Sequence, residues 1–264
     1  MKIFEALKWA HGRTNSRYVS RELLKFSENL SNEEFVMLFN HAMRNEEKFR
    51  QSVEIYASGV PLEYITNKCK FFDFEFFVDE RVLIPRFETE ILVDKAFSVA
   101  HLFKTPRICE VGTGSGIISI CLKKFFPDAQ ITATDISESA LEVARKNAQN
   151  LGVDIEFVHC EYLSGVQGDF DIVVSNPPYI ASSYKLDERV LKEPNLALIG
   201  GEKGDEKLKK LIFLSENRTK YLLCEMGYDQ KQSMQETLSE HGFAFEFYKD
   251  LAGFDRGFVA RKMK

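Results

Sequence analysis

The architecture of this chain follows from one stretch, Arg107-Ile108-Cys109-Glu110-Val111-Gly112-Thr113-Gly114-Ser115-Gly116. Its first half, 107–111, is a mostly apolar run that predicts a strand. Three alternating glycines follow at once, and then a helix-like segment at 117–126. Glycine permits positive φ and lets the backbone approach a ligand closely. A strand, a glycine turn and a helix in this order predict the first unit of a parallel α/β sheet.

Outward from this unit, strand and helix patterns alternate to the end of the chain. Further strands are predicted at 131–135, 155–159, 170–175, 221–225, 244–248 and 258–261, and further helices at 138–150, 204–217 and 229–241. Such alternation is typical of a mostly parallel sheet with helices on both faces.

The first 70 residues have a different, helical pattern. The segment Ser31-Asn32-Glu33-Glu34 predicts a capping box at the start of a helix. Apolar residues recur at helical spacing from Phe35 to Met43 and predict a buried helix face. A similar stripe continues from Phe49 to Tyr56, and Gly59 and Pro61 are expected to end it. The phenylalanine-rich stretch 71–84 predicts a hairpin or linker strand pair, and we place a domain boundary at about 75–85.

Composition excludes several classes of protein. Lys and Arg total 35 and Asp and Glu total 40 in 264 residues, so the net charge is −5, which argues against a protein that chiefly grips nucleic-acid phosphates. No apolar run approaches the ~20 residues that span a bilayer, and the first residues lack a signal peptide pattern. The five cysteines are scattered without C-x-x-C, so we expect reduced thiols, no metal site and a cytoplasmic location.

The glycine loop predicts a nucleoside ligand that lacks a pyrophosphate. A dinucleotide fingerprint G-x-G-x-x-G begun at Gly112 would need glycine where Ile117 stands, and a Walker Gly-Lys-Ser/Thr is missing from the sequence. Asp135 ends the second predicted strand, 21 residues after Gly114. A carboxylate there can accept hydrogen bonds from ribose hydroxyls. The alternative is that Asp135 caps the next helix, a task that Ser137 could also perform.

The fourth predicted strand of this α/β region leads directly into Asn176-Pro177-Pro178-Tyr179. The two prolines fix two φ angles and remove two N–H donors, so the turn is rigid and exposes carbonyls. The Asn176 side-chain oxygen and the Pro177 carbonyl could accept both hydrogens of a planar –NH2 group, and Tyr179 could stack on its plane. A turn without chemical function is the alternative interpretation.

Together these features predict methyl transfer from S-adenosylmethionine to an amide or amine nitrogen. The sulfonium methyl is already electrophilic, so neither a metal nor a covalent nucleophile is needed. Proximity and orientation would supply most of the catalysis, roughly 7–11 kcal/mol.

The chain resembles the bacterial release factor glutamine N5-methyltransferase family. The resemblance is strongest over 60–264 and is carried by Asn-Pro-Pro-Tyr, by Ile84-Pro85-Arg86-Phe87-Glu88-Thr89-Glu90 and by Asp250-Leu251-Ala252-Gly253-Phe254-Asp255-Arg256. It implies a Rossmann-like, seven-stranded class I methyltransferase domain at 86–264, a hairpin linker at 73–85 and a small all-helical substrate-recognition domain at 1–72.

The resemblance also implies the site and its partners. Gly112, Thr113, Gly114, Ser115, Gly116 and Asp135 would bind S-adenosylmethionine together with Asn176, and Asn176, Pro177, Pro178 and Tyr179 would bind the substrate glutamine. Glu161 stands where the family usually has Asp beside the adenine, and Tyr162 is either the aromatic contact or an ordinary packed tyrosine. Arg86, Glu193 and Arg256 would line the site or form structural ion pairs.

The implied substrate is the glutamine of the Gly-Gly-Gln loop of peptide chain release factors, methylated by a monomer that contacts neither membrane nor nucleic acid. Three other functions share part of this chemistry. A glutamine methyltransferase acting on a ribosomal protein would use the same residues, and a DNA adenine-N6 methyltransferase would clamp an exocyclic amine but must flip its base. A regulator that binds S-adenosylmethionine without turnover is the non-enzymatic alternative.

Overall fold

The computed structural model describes residues 1–263, which form two compact units. The first contains Met1–Lys68 together with Asp187–Lys192, and the second contains Cys69–Leu186 and the chain from Glu193 onward. The division into 1–72, 73–85 and 86–264 stays a prediction.

Helices make up the first unit, as the sequence predicted. Ser31 and Glu34 form the expected capping box: the Ser31 Oγ accepts from the Glu34 N–H at 3.1 Å, and the Glu34 carboxylate accepts from the Ser31 N–H at 2.8 Å. Leu23, Phe49 and Val53 are fully buried in its core. The helices are α1 Ile3–Thr14, α2 Arg17–Glu28, α3 Asn32–Met37, α4 Glu46–Ala57 and α5 Leu62–Thr66, with a 3-10 turn at Val190–Lys192.

The helix after the capping box is shorter than its apolar pattern predicts. It ends at Met37 rather than near Met43, and Phe39 is 41% exposed. The chain instead turns back to the beginning of α1, where the His41 carbonyl accepts from the Ile3 N–H at 3.0 Å. The first N–H groups of a helix lack partners within it, so this segment satisfies one of those donors instead of continuing α3.

A short hairpin opens the second unit. Its strands are β1 Cys69–Phe71 and β2 Phe74–Phe76, so strand pairing ends earlier than the expected 73–85. The next residue, Phe77, gives its main-chain N–H to Asn147 Oδ1 at 2.7 Å and accepts from Asn147 Nδ2 at 2.9 Å. The buried Asn147 side chain therefore makes the hydrogen bonds with the Phe77 backbone that a partner strand would make in a longer hairpin.

Seven strands form the central sheet of this unit in the order β10-β11-β9-β6-β3-β4-β5. β3, β4, β5, β6 and β9 are parallel, whereas β11 is antiparallel to β9 and to β10. The strands are β3 Arg107–Val111, β4 Gln130–Asp135, β5 Glu156–His159, β6 Phe170–Ser175, β9 Thr219–Glu225, β10 Phe243–Lys249 and β11 Asp255–Lys262; β7 Ile180–Ala181 and β8 Ile199–Gly201 pair separately. The helices are α6 Glu88–Ala100, α7 Ile117–Phe125, α8 Glu138–Leu151, α9 Asn195–Leu198, α10 Glu206–Ser215 and α11 Lys231–Glu240.

Alternating strand residues face two different cores. Ile108 packs in the cluster that α6 and α7 contribute to, and the next residue, Cys109, packs in the cluster of α10 and α11. Successive side chains of a strand point to opposite faces, so apolar runs such as 170–175 supply both cores. The predicted α/β sheet with helices on both faces is confirmed.

The strand order places one switch point in the sheet. From β3 the chain adds β4 and β5 on one side, and then returns to add β6 on the other side of β3. Ligands of open α/β sheets bind outside the carboxyl ends of the strands at such a point. The glycine loop follows β3 and Asn176 follows β6, so both meet there.

Candidate active site

A cleft opens at the carboxyl ends of β3, β4 and β6. All predicted site residues except Gly116 and Tyr179 line it, namely Gly112, Thr113, Gly114, Ser115, Asp135, Glu161, Tyr162, Asn176, Pro177 and Pro178. These residues come from four separate segments of the sequence, at or just after the ends of β3, β4, β5 and β6. The sheet therefore collects the predicted cofactor loop and the predicted substrate corner in one place.

The glycine loop is tied to the neighbouring strand. The N–H groups of Gly112 and Thr113 both donate to the Thr134 carbonyl, at 2.8 and 2.9 Å. Gly112 and Gly114 have φ of +72° and +54°, and a Cβ on either would meet nothing within 4 Å. The space beside these two glycines is thus open to a ligand.

Gly116 lies in close contact with two helices. It precedes α7 with φ +85°, and a Cβ there would lie 2.9 Å from Ile120 and 3.2 Å from the Cβ of Ala144 on α8. Glycine is therefore required where the two helices meet. The predicted contact of Gly116 with a cofactor is untested, and Gly116 is not among the residues that line the cleft.

Asp135 holds the glycine loop against the start of α8. Its Oδ2 accepts from the Gly114 N–H and its Oδ1 from the Ser137 N–H, both at 2.9 Å. Ser137 itself caps α8 by accepting from the Ala140 N–H. Burial raises the pKa of Asp135, although the backbone donors oppose the rise. Each carboxylate oxygen keeps a second lone pair, so Asp135 can still accept from a ligand hydroxyl.

Glu161 and Tyr162 line the cleft from the segment that follows β5. Glu161 is half exposed and pairs with Lys210 at 2.7 Å. Tyr162 adopts φ +52°, and its carbonyl accepts from the Thr134 hydroxyl at 2.8 Å. The Lys210 ammonium lies 4.8 Å from the Tyr162 ring, and burial raises the pKa of the phenol to about 12.

The Asn176 corner is anchored on both sides. Just before it, the Ser175 hydroxyl donates to the Val111 carbonyl at 2.6 Å, which joins the end of β6 to the end of β3. The Asn176 Nδ2 donates to the Thr89 hydroxyl on α6 at 3.0 Å. With its nitrogen held by Thr89, the Asn176 carboxamide keeps its oxygen for another partner.

Tyr179 is fixed behind the corner. Its hydroxyl donates to Glu225 Oε1 at 2.9 Å, and its carbonyl accepts from Gln230 Nε2 at 2.8 Å. Burial raises the pKa of the phenol. The predicted stacking of Tyr179 on a substrate is untested, and its hydroxyl contact serves to hold the corner in place.

Comparisons with known proteins show the family of this chain. A family model described as "Methyltransferase small domain" matches residues 88–199. The release factor glutamine methyltransferase of Clostridium acetobutylicum is 31% identical over 280 residues, covering 98% of each chain, and that of Neisseria gonorrhoeae is 38% identical over 216 residues, covering 78% of each. This chain belongs to the release factor glutamine methyltransferase family. It is therefore a methyltransferase enzyme.

Solved structures agree on the fold. The hMettl16 catalytic domain aligns with a TM-score of 0.56 at 17% identity, covering 80% of this chain and 81% of that one. A ribosomal protein L11 methylase from Lactobacillus delbrueckii subsp. bulgaricus aligns with a TM-score of 0.53 at 24% identity, covering 70% of this chain and 84% of that one. The Rossmann-like class I methyltransferase fold is thus confirmed.

The methyltransferase cleft contains a buried carboxylate that sequence reasoning missed. Glu110 is 1% exposed and lines the cleft, and its Oε2 accepts from the Thr113 hydroxyl at 2.6 Å and from the Ser119 N–H at 3.0 Å. Burial raises its pKa to about 7. The available signal was one acidic residue inside an otherwise apolar strand end, a pattern that Glu225 repeats at the end of β9.

The sequence left open whether Arg86 and Arg256 line the site or form structural ion pairs, and both of them form ion pairs. Arg86 lines the cleft and pairs with the buried Glu193, which also accepts from the Ile84 N–H at 3.0 Å. Arg256 pairs with Asp250 at 2.8 Å. In residues 1–263 we find no group of His, Cys, Asp and Glu that could hold a metal ion. No helix in the same range has the length and apolar content needed to cross a bilayer.

Proposed function

We propose that this enzyme transfers a methyl group from S-adenosylmethionine to the side-chain amide nitrogen, N5, of the glutamine in the Gly-Gly-Gln motif of peptide chain release factors. The observation that carries the proposal is the orientation of Asn176. Its amide nitrogen is occupied by Thr89, so its oxygen is the group left to accept from a substrate –NH2 beside the glycine loop.

The residues of the cleft suit S-adenosylmethionine. Gly112 and Gly114 have no side chain at positions where a Cβ would point into open space, Asp135 retains acceptor capacity for ribose hydroxyls, and the Glu110 carboxyl lines the same cleft. Glu161 and Tyr162 would flank the adenine. When bound, this molecule supplies a sulfonium methyl that is electrophilic without further activation.

The corner would act as an amide clamp. Asn176 Oδ1 and the Pro177 carbonyl each accept one N–H of the glutamine amide, which turns the nitrogen toward the methyl donor and fixes it there. As positive charge grows on the attacking nitrogen, the two carbonyl dipoles stabilise it. The methylated nitrogen can release a proton afterwards, so no general base is required at the moment of transfer.

The choice of substrate rests on the family. The relatives named above are called release factor glutamine methyltransferases, and the Clostridium protein aligns over nearly the whole chain. A ribosomal protein glutamine would fit the same clamp, and an adenine amine would fit its acceptors. We infer a monomer in the cytoplasm that recognises the release factor partly through residues 1–72, without nucleic acid.

A transfer assay separates these substrates. The purified enzyme and tritiated S-adenosylmethionine are incubated in parallel with a purified release factor, a ribosomal protein mixture and duplex DNA. We expect label in the release factor alone, lost when its Gly-Gly-Gln glutamine is changed to alanine. Label only in ribosomal protein or in DNA would overturn the proposal, and binding of the cofactor with no label in any substrate would favour the non-enzymatic regulator.

A further inference from the structure

A buried carboxylate stands behind the Asn176 corner and is linked to it through a single hydroxyl. We propose that Thr89 and Glu225 are positioning residues that set which end of the Asn176 carboxamide faces the substrate. Thr89 accepts from Asn176 Nδ2 at 3.0 Å and donates to Glu225 Oε2 at 2.8 Å. This inference deepens the proposed function and rests on it.

The number of available hydrogens fixes the direction of these bonds. An ionised carboxylate only accepts hydrogen bonds, and a hydroxyl carries one hydrogen. Since Thr89 gives its hydrogen to Glu225, it can only accept from Asn176. An acceptor facing Asn176 selects the –NH2 end of the carboxamide, so Oδ1 must point the other way. The two ends of an amide have nearly the same shape, and sterics alone would not make this choice.

Both oxygens of Glu225 are engaged, which holds the carboxylate in one position. Oε1 accepts from the Tyr179 hydroxyl at 2.9 Å while Oε2 accepts from Thr89. Thr89 is fully buried and Glu225 is 1% exposed, so water does not compete for these groups. A buried polar group without a hydrogen-bond partner costs free energy. Because reversing one of these bonds would leave such a group unpaired, the observed directions are favoured.

The charges around Glu225 fit an acceptor role. Burial raises its pKa, whereas the hydroxyls of Thr89 and Tyr179 and the positive charge of Arg256 stabilise the ionised form. Glu88 opposes ionisation, and the buried Tyr248 and Cys224 are further titratable neighbours. A proton on Oε2 would reverse the chain of bonds, because Thr89 could then donate to Asn176 Oδ1 and turn the amide nitrogen toward the cleft.

The test compares two substitutions of Thr89. Thr89→Val keeps the shape and removes the hydroxyl, and we expect kcat/KM for the release factor to fall by about 10²-fold, with the affinity for S-adenosylmethionine retained. Thr89→Ser keeps the hydroxyl and should recover most of the loss. Thr132→Val is the matched control, because that hydroxyl also donates to a carboxylate, Glu156, but does not line the cleft.

The outcomes separate the positioning role from folding. A Thr89→Val enzyme as active as the wild type, or a Thr89→Ser enzyme as impaired as the valine variant, would overturn the proposal. If the valine variant fails to fold, NMR of the wild type decides: we expect one Asn176 side-chain amide proton to exchange slowly, and two freely exchanging protons would contradict the bond. The NMR result stands even if release factors prove not to be the substrate.

Discussion

Two glycines of the same loop are expected to fail in different ways when changed to alanine. At Gly112, φ is +72° and a Cβ would meet open space in the cleft. Alanine there costs about 1–2 kcal/mol for the left-handed backbone. At Gly116, φ is +85° and the Cβ would lie 2.9 Å from Ile120 and 3.2 Å from Ala144. Overpacking adds about 1–3 kcal/mol there, so Gly116→Ala should destabilise by about 2–5 kcal/mol.

The assay measures stability and binding separately. In calorimetric unfolding of the cofactor-free enzyme, Gly116→Ala should have a lower stability than Gly112→Ala, and both variants should be less stable than the wild type. Titration of S-adenosylmethionine at a temperature where all three are folded should reverse the order of the two variants: Gly112→Ala should bind more weakly than Gly116→Ala, because its methyl occupies the cleft. Equal stability losses, or a Gly116→Ala enzyme that is stable but cannot bind, would refute this division of roles.

Three further changes test other parts of the site. Asn176→Ala should lower kcat by about 10²–10³-fold, measured by single-turnover kinetics at saturating cofactor; unchanged turnover would contradict the clamp. The pKa of Glu110 is about 7 in the folded enzyme against 4.5 for an unperturbed glutamate, so a proton on Glu110 stabilises the folded state relative to the unfolded chain. As pH rises from about 4.5 to about 7, the free energy of unfolding of the cofactor-free wild type should fall by about 3 kcal/mol relative to that of Glu110→Gln, measured by denaturant titration. If the free energies of unfolding of the two proteins change with pH in parallel, this prediction is wrong. Asp135→Ala should weaken cofactor binding and loosen the glycine loop, seen as faster amide exchange at Gly114.

The sheet and the location of the cleft could be predicted from the sequence. Strand 170–175 was predicted with its observed bounds because it is apolar on both faces and is followed by prolines. The positions of Asp135 and Asn176 at strand ends were enough to bring them to one edge of a parallel sheet. Local pattern and topology are therefore sufficient to place a residue at the end of a buried strand.

Contacts between distant elements could not be predicted in the same way. The packing constraint on Gly116 could not be predicted, because Ala144, which a Cβ at Gly116 would approach, lies on a helix whose packing the sequence does not fix. The hydrogen bond that Asn176 Nδ2 donates to Thr89 joins residues 87 positions apart. The early end of α3 arises from a backbone acceptor needed at Ile3, a tertiary demand that overrides the apolar stripe.

The central claim is that the corner accepts both hydrogens of a neutral glutamine amide. Tandem mass spectrometry of the Gly-Gly-Gln peptide, after incubation of the release factor with enzyme and S-adenosylmethionine, should locate one methyl on the glutamine side chain. A release factor with glutamate in place of that glutamine offers only acceptors to the two carbonyls, and its kcat/KM should fall by about 10⁴-fold or more. Comparable methylation of the glutamate form, or a methyl found elsewhere on the peptide, would contradict the amide clamp.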